Sequence, residues 1–271
     1  MKSYRIILAL LMPLMFTACA KDLVTGKKEL NFYKIESEEK IGTKVLNAQL
    51  KAAKKKEKEV DKEADAKEYK RLQKIVKQIQ PHTHYPDFPY EIHIMQSDVV
   101  NAWCAPGGKM MVYTGLWDDE KGLVEKGNDD ELAAVVAHEM AHANARHVTE
   151  AVSQSVTILM AGTAAQTAIS AGGLTQGANI FGQVFSDGVS IYLPSYSRGN
   201  EYEADKLGIM YMAKAGYDPN AAVELWKKAA KKKKDKSSIY ASHPSSGARA
   251  KALEKYLPEA EYEYKTATNQ H

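Results

Sequence analysis

The sequence has little cysteine and almost no net charge. Only two of its 271 residues are cysteines, and 37 basic residues against 34 acidic ones leave a formal charge of +3. A charge this small gives no reason to expect a nucleic-acid partner. No segment repeats along the chain, so a repeat architecture is excluded. The hydrophobic content of 44% and the charged content of 26% are ordinary for a globular protein.

Long hydrophobic runs are also missing near the amino terminus. The apolar run from Ile6 to Phe16 has 11 residues, whereas a membrane-spanning helix needs about 20. Because the run follows Lys2 and Arg5 and precedes small residues, we expect residues 1–18 to be an export signal. Small residues followed by Cys19 resemble a bacterial lipobox, in which that cysteine is acylated. The alternative is an ordinary cleaved signal with an incidental cysteine.

This pattern also predicts where the protein resides. Ala20, a residue other than aspartate, follows Cys19, as in the outer-membrane sorting pattern of lipoproteins in double-membraned bacteria. We therefore expect a periplasmic protein anchored to the outer membrane by its lipid, with residues 19–36 as the linker. With Cys19 acylated, Cys104 has no partner for an internal disulfide. We expect Cys104 to be a small buried hydrophobe rather than a nucleophile.

The rest of the chain is predicted to be mainly helical, with a short β-region. Residues 37–79 read as one helix, because apolar residues recur there at helical spacing. Alternating apolar and polar residues predict β-structure within 86–115. Further helices follow, and residues 259–271 read as a polar tail. We therefore predict one α+β, mainly α-helical domain at residues 37–258.

The chemistry of the sequence centres on residues 138–142, which form a His-Glu-x-x-His pattern. On a helix the two histidines lie one turn apart on one face and can bind one zinc ion, while Glu139 can reach a water on the metal. Asn128 as N-cap, with Glu131 three residues later, supports a helix that we expect to run to about Val148. The alternative is a core helix whose two histidines are satisfied by hydrogen bonds.

A catalytic zinc site needs a third protein ligand and one open position. Glu201 and Asp205 lie four residues apart, so one helix face can present both carboxylates. We expect Glu201 to ligate the metal and Asp205 to hydrogen-bond a ligand histidine or shuttle a proton. Glu203 is expected to be solvated, and His147, five residues past His142, to lie off the ligand face. The alternative for these carboxylates is a plain charged helix.

Several elements together resemble one metallopeptidase family. The His-Glu-x-x-His pattern followed by Glu201-x-x-Ala204-Asp205 is similar to the gluzincin metallopeptidases of the HtpX and CAAX-prenyl-protease type. Residues 101–109 resemble the strand before that family's metal helix, and residues 242–244 with Arg249 resemble its downstream His-Pro element. The likeness covers roughly residues 25–257 and is greatest for the exported members and the mitochondrial quality-control branch.

The resemblance implies a zincin-like core with a small β-sheet beside the metal helix, and one Zn²⁺ per chain. The implied site residues are His138, His142 and Glu201 as zinc ligands, Glu139 as general base, Asp205 as supporting acid, and His243 as oxyanion donor or resting-state ligand. The strand from Lys109 through Met110, Met111, Val112 and Tyr113 to Thr114 is implied to offer a free edge to an extended peptide.

The leading hypothesis is a zinc metalloendopeptidase that hydrolyses misfolded or unassembled cell-envelope proteins. Zinc would activate a water, and Glu139 would take its proton and pass it to the leaving amine. A second hypothesis is an envelope chaperone or assembly factor with an idle or latent zinc site, since the uncharged stretch at 151–186 could cover a cleft or hold a partner. A purely structural zinc is the third.

Overall fold

The computed structural model describes residues 19–21, 24, 26, 28–154, 196–232, 239, 243 and 246–269. The predicted signal peptide and most of the uncharged stretch at 151–186 lie outside these residues. Within them the protein is mainly helical with a small three-stranded sheet, which confirms the predicted fold class. In this part of the chain, no helix combines the length and the apolar character that crossing a membrane requires.

The elements follow one another along the described chain as strands, helices, a second group of strands, and then helices again. The helices are α1 (Ile35–Lys55), α2 (Lys62–Ile79), α3 (Asp129–Asn144), α4 (Arg198–Lys214), α5 (Asn220–Lys231), α6 (Ser246–Leu253) and α7 (Leu257–Thr268). The strands are β1 (Cys19–Lys21), β2 (Lys28–Leu30), β3 (Glu91–Met95), β4 (Ala102–Ala105) and β5 (Lys109–Tyr113). Residues 147–154 are also helical.

Helices α1 and α2 replace the single helix predicted over residues 37–79. The chain leaves helical geometry at Glu57 and Asp61, whose φ angles are 53° and 58°. Between them Val60 forms a β-bridge with Met95, and the Asp61 N–H donates to a carbonyl of β3 at 2.9 Å. The prediction of one continuous helix is wrong because pairing with the sheet interrupts it.

Strand β5 lies in the middle of the three-stranded sheet, whose order is β3-β5-β4. It pairs in parallel with β3 and antiparallel with β4, so both of its hydrogen-bonding edges are used. The expectation that Lys109, Met110, Met111, Val112 and Tyr113 offer a free edge to a peptide is therefore wrong. Apolar alternation shows that a strand exists, whereas its neighbours depend on distant segments. The outer strand that packs against α3 is β4.

Two segments that the sequence marks as peripheral are structured. In the predicted linker at 19–36, β1 pairs with β2, and Asn31 Nδ2 donates to Thr149 Oγ1 at 2.9 Å. In the predicted polar tail at 259–271, the residues up to Thr268 belong to α7, in which Ala260 is fully buried. Both segments pack on helices that are far away in the sequence, α7 on α4 and residues 31–32 on the helical turns at 147–154.

Helix α3 runs through the centre of the core. All of its residues from Glu131 to Asn144 are buried, and α2, α4, α5 and β4 pack around it. A helix enclosed in this way must be apolar, or its polar side chains must be paired. The polar residues of its second half are therefore expected to have partners on the surrounding elements.

Candidate metal centre

Helix α3 begins at the cap predicted from the sequence. The Asn128 side chain accepts a hydrogen bond from the Glu131 N–H at 3.1 Å. The Glu131 carboxylate does not close the expected capping box, because it accepts from the Glu125 N–H at 2.6 Å. Further along, helical spacing places His138 and His142 on one face, with their Nε2 atoms 3.0 Å apart.

Helix α4 brings two carboxylates to these histidines. The Glu201 oxygens lie 3.5 Å from His142 Nε2 and 3.6 Å from His138 Nε2. One turn later, Asp205 places Oδ1 3.0 Å from His138 Nδ1. The structure thus brings the three predicted ligands together. It also places the predicted supporting acid against the other ring nitrogen of His138, as is usual for a metal-binding histidine.

His243 completes the group from a segment after α5. Its Nδ1 lies 3.2 Å from His138 Nε2 and 3.0 Å from Glu201 Oε1. One donor atom from each of His138, His142, Glu201 and His243 lies within 4.8 Å of the others, and all four residues are buried. Three imidazoles and one carboxylate are a donor set suited to tetrahedral zinc.

Glu139 faces the same group from α3. Its Oε1 is 3.3 Å from His243 Nε2, but among the described residues neither its carboxylate oxygens nor that nitrogen has a hydrogen-bond partner. Buried polar atoms without partners are rare in folded proteins. Such unpaired atoms are expected beside a site that holds a metal ion and its bound water, because the ion or the water then becomes their partner. The residues present therefore fit a metal site.

Burial and neighbouring charges shift the pKa values of the site. Burial raises the pKa of Glu139, so its carboxylate is a stronger base than that of an ordinary glutamate. Burial lowers the pKa of His142 well below its ordinary value, so this imidazole is neutral, as a metal ligand must be. Burial opposes the ionisation of Glu201, but His243 and Arg249 outweigh it and hold its pKa well below the ordinary value.

His138 differs from His142 in its protonation. Burial and the Arg249 cation lower its pKa, but hydrogen bonds to Asp205 and Glu201 outweigh them and raise the pKa to about 9. The imidazolium is therefore the dominant form at neutral pH when no metal is bound. A metal ion that binds His138 at this pH displaces a proton.

Arg249 is a buried residue of the site whose contacts the sequence did not reveal. Its Nε and Nη2 donate to the two oxygens of Asp205 at 2.7 and 2.6 Å, and Nη1 lies 2.5 Å from Glu201 Oε2. Its Cζ lies 3.5 Å from the centroid of the Trp226 ring. Arg249 thus compensates the charge of the carboxylates that α4 turns inward. It lies 44 residues after Asp205, too far for any local pattern to relate them.

Two more residues contact His142. His147 Nδ1 lies 2.8 Å from His142 Nδ1, and the Tyr196 ring stacks on the His142 ring with centroids 3.8 Å apart. His147 is not one of the four grouped donor residues, but it contacts the ring of His142. The expectation of a solvated Glu203 is wrong, because its side chain is 11% exposed and its Oε2 lies 3.4 Å from His147 Nε2. The helix does not continue as predicted, because Arg146 has a φ of 56° and breaks it.

The remaining predicted site residues are not part of this group. Strand β5 contributes its methionines and Val112 to the core, and Lys109 donates to the Pro89 carbonyl at 2.7 Å. Cys104 is a free, buried thiol whose pKa is raised by burial, as expected of a small hydrophobe. The acylation of Cys19 stays a prediction.

Comparison with known proteins gives this arrangement a family. The family model described as Peptidase family M48 matches residues 66–257. The chain is 36% identical over 205 residues to the mitochondrial metalloendopeptidase OMA1 of Schizosaccharomyces pombe, a match that covers 74% of this chain and 56% of that protein. It is 33% identical over 172 residues to the OMA1 of Arabidopsis thaliana, covering 63% and 32%. It is 27% identical over 156 residues to the beta-barrel assembly-enhancing protease of Yersinia pestis, covering 52% and 28%.

The chain spans about half or less of the length of these relatives. The region that the family model matches contains the whole candidate site, from the cap of α3 to Arg249. Metallopeptidases of this family use a metal, typically zinc, which agrees with the buried donor set. Because the model matches well over half of the chain, the protein belongs to peptidase family M48.

Proposed function

We propose that this protein is a zinc-dependent metalloendopeptidase in which His138, His142 and Glu201 hold the metal and Glu139 is the general base. One observation carries the proposal. Buried donors from two helices distant in sequence converge on one point, and a buried carboxylate without a hydrogen-bond partner among the described residues faces them. If α3 were only a core helix whose two histidines are hydrogen-bonded, the buried carboxylate of Glu139 would be expected to have a hydrogen-bond partner as well.

The chain's own residues would divide the work of peptide hydrolysis between them. When bound, zinc supplies a Lewis acid that lowers the pKa of a coordinated water toward 7 and polarises the scissile carbonyl. Glu139 takes the proton of the attacking water and delivers it to the leaving amine. The raised pKa of Glu139, a result of its burial, favours the protonated intermediate form that this delivery requires. Asp205 orients His138 through its Nδ1.

The family resemblance leaves two roles for His243, oxyanion donor and resting-state ligand. Its Nδ1 lies among the donor atoms, 3.0 Å from Glu201 Oε1. We propose that His243 would be a fourth protein ligand of the bound metal at rest and would move away when a peptide enters. In this arrangement the site is latent until His243 moves.

We further propose where the substrate comes from and how it binds. The amino-terminal pattern that ends at Cys19 supports a lipid anchor on the periplasmic side of an outer membrane, as in the exported lipoprotein branch of the family. A relative named as a beta-barrel assembly-enhancing protease supports misfolded or unassembled envelope proteins as substrates. Strand β4, the outer strand that packs against α3, is the proposed edge for pairing with an extended peptide.

A second candidate function is an envelope chaperone or assembly factor whose zinc site is idle. The observation that favours it is the complete set of four protein donors, since structural zinc sites are closed whereas catalytic ones keep an open position. The two functions differ in what a Glu139→Gln allele does in cells. Full complementation by this allele would favour the assembly factor, and loss of function would favour the peptidase.

The experiment that tests the peptidase is the Glu139→Gln variant, assayed for bound zinc and for peptide hydrolysis with and without a chelator. We expect zinc to stay bound and hydrolysis to fall by at least about 100-fold. Glu36→Gln, the same change at an exposed position of α1, is the matched control and should keep wild-type activity. Undiminished casein cleavage by Glu139→Gln would remove Glu139 as the base.

A further inference from the structure

We propose that His147 and Glu203 are positioning residues of the metal centre, which hold His142 so that its Nε2 faces the ion. This inference rests on the proposed metal-binding function of the site. Neither residue touches the metal or the substrate in this scheme. They act through His142, by fixing where its ring points and which of its nitrogens carries the proton.

The contact between His142 and His147 joins their Nδ1 atoms, which lie 2.8 Å apart. The two residues are 0% and 1% exposed, so solvent does not compete for this contact. A hydrogen bond between two imidazole nitrogens needs one proton, so one ring donates and the other accepts. His142 can bind a metal through Nε2 only if its own proton is on Nδ1. His147 must then accept at its Nδ1.

Glu203 sets the direction of this hydrogen bond. Its Oε2 lies 3.4 Å from His147 Nε2, and its side chain is largely buried. A carboxylate only accepts hydrogen bonds, so a neutral His147 keeps its proton on Nε2 and leaves Nδ1 free to accept from His142. His142 is thus held by a carboxylate of α4 through one intervening imidazole, whereas His138 is held by Asp205 directly.

A break in the helix brings His147 to this position. On an uninterrupted helix, residue 147 would lie about 140° around the axis from His142. Arg146 has a φ of 56°, and its guanidinium donates to Glu38 Oε1 at 2.7 Å and to the Tyr33 carbonyl at 2.5 Å. The first turn of α1 and the residue Tyr33 before it therefore hold the break that turns His147 toward His142.

Two substitutions of His147 separate its hydrogen bond from its packing. His147→Asn keeps an acceptor oxygen near the place of Nδ1, whereas His147→Leu removes the acceptor with little change in size. Zinc affinity is measured by competition with a chelator. We expect about a 10–100-fold loss of affinity for His147→Leu, which is typical of a lost partner to a metal ligand. His147→Asn should bind zinc within about threefold of wild type, because its oxygen accepts in place of Nδ1.

Nitrogen-15 NMR of the imidazole rings shows which ring nitrogen of each histidine carries the proton, and it does not depend on catalytic activity. In wild-type protein, metal-free and zinc-loaded, we expect the His147 proton on Nε2. In the zinc-loaded protein we expect the His142 proton on Nδ1. Glu203→Leu should allow the other tautomer of His147, since the carboxylate that selects it is gone.

The outcomes separate this inference from the proposed function. Wild-type zinc affinity in His147→Leu, or equal losses in the Leu and Asn variants, would overturn the positioning role. A His147 proton on Nδ1 in wild-type protein would overturn it as well. If wild-type protein binds no zinc, the proposed function fails, and the tautomer of His147 in the metal-free protein decides this inference alone.

Discussion

Arg249 is the cation that lets α4 turn two carboxylates into the core. Burial raises the pKa values of Glu201 and Asp205, but the guanidinium, together with His243 at Glu201, outweighs this effect and holds both below their ordinary range. Removing one partner of a buried ion pair leaves a charge that nothing compensates, which costs about 3–5 kcal/mol. The stability of the metal-free protein should therefore depend on Arg249.

Arg249→Met should lower the free energy of unfolding of the metal-free protein by about 3–5 kcal/mol. Zinc should restore part of the loss, since its charge compensates Glu201. Urea unfolding with and without zinc measures both effects. The matched control is Lys227→Met, because the Lys227 side chain is 42% exposed and its ion pairs with Glu224 and Glu254 are open to solvent. A wild-type midpoint for metal-free Arg249→Met would contradict the compensating role.

The site residues that can be predicted from the sequence are those that are close in the chain or that a metal site chemically requires. The two histidines of α3 converge because helical spacing alone places them together. Glu201 and Asp205 were predictable because a catalytic zinc site needs a third protein ligand besides the two imidazoles, and these carboxylates lie one helical turn apart. His147 was not, because Arg146 adopts a left-handed conformation that no pattern in the sequence marks. The contacts of Arg249 were not predictable either, since they join segments far apart in the chain.

At the scale of the elements, the approach of α4 to α3 sets the distance between Glu201 and the imidazoles. The two helices approach closely at Gly208, where a Cβ would lie 3.1 Å from the backbone N and Cα of His138. Backbone atoms cannot swing aside as the tip of a long side chain can. A larger residue at this position must therefore push the two helices apart.

Gly208→Ala should weaken zinc binding about tenfold or more and lower the free energy of unfolding by about 1–3 kcal/mol. The matched control is Gly199→Ala on the same helix, where the nearest heavy atom to an added Cβ is 3.6 Å away. That change should be neutral or slightly stabilising, because alanine favours a helix. Zinc titration against a chelating dye and thermal unfolding measure the two quantities. Equal zinc affinity in both variants would contradict a spacing role for Gly208.

The sequence predicts the presence of the helices and strands better than it predicts which elements pair or pack with one another. The cap of α3 and the apolar stripe of α2 depend only on residues that are close together in the chain, and the structure contains both. The break at residues 56–61 and the central place of β5 both come from pairing with β3, which is distant in sequence from each. The local spacing of apolar residues does not indicate which strands pair. The predictions of one continuous helix over residues 37–79 and of a free edge on β5 were therefore wrong.

At the scale of the molecule, two segments with polar sequences support the elements of the site. The segment before α1 bonds to residues 146–153 next to His147. Helix α7 packs on α4, which carries Glu201. In α7 Ala260 is buried, whereas Glu259, Tyr262, Lys265, Thr266 and Thr268 are exposed. This composition explains why residues 259–271 read as a tail.

Tyr264 and Tyr262 test whether α7 belongs to the folded domain. Tyr264 packs against the main core, whereas Tyr262 is 71% exposed. Tyr264→Ala removes partly buried apolar surface, so it should lower the free energy of unfolding by roughly 1–2 kcal/mol and the melting temperature by about 2–8 °C. Tyr262→Ala should leave both unchanged. Thermal unfolding followed by circular dichroism measures the shift, and a mobile tail predicts none for either variant. Equal melting temperatures for the two variants would therefore support the tail and contradict the packing of α7 on α4.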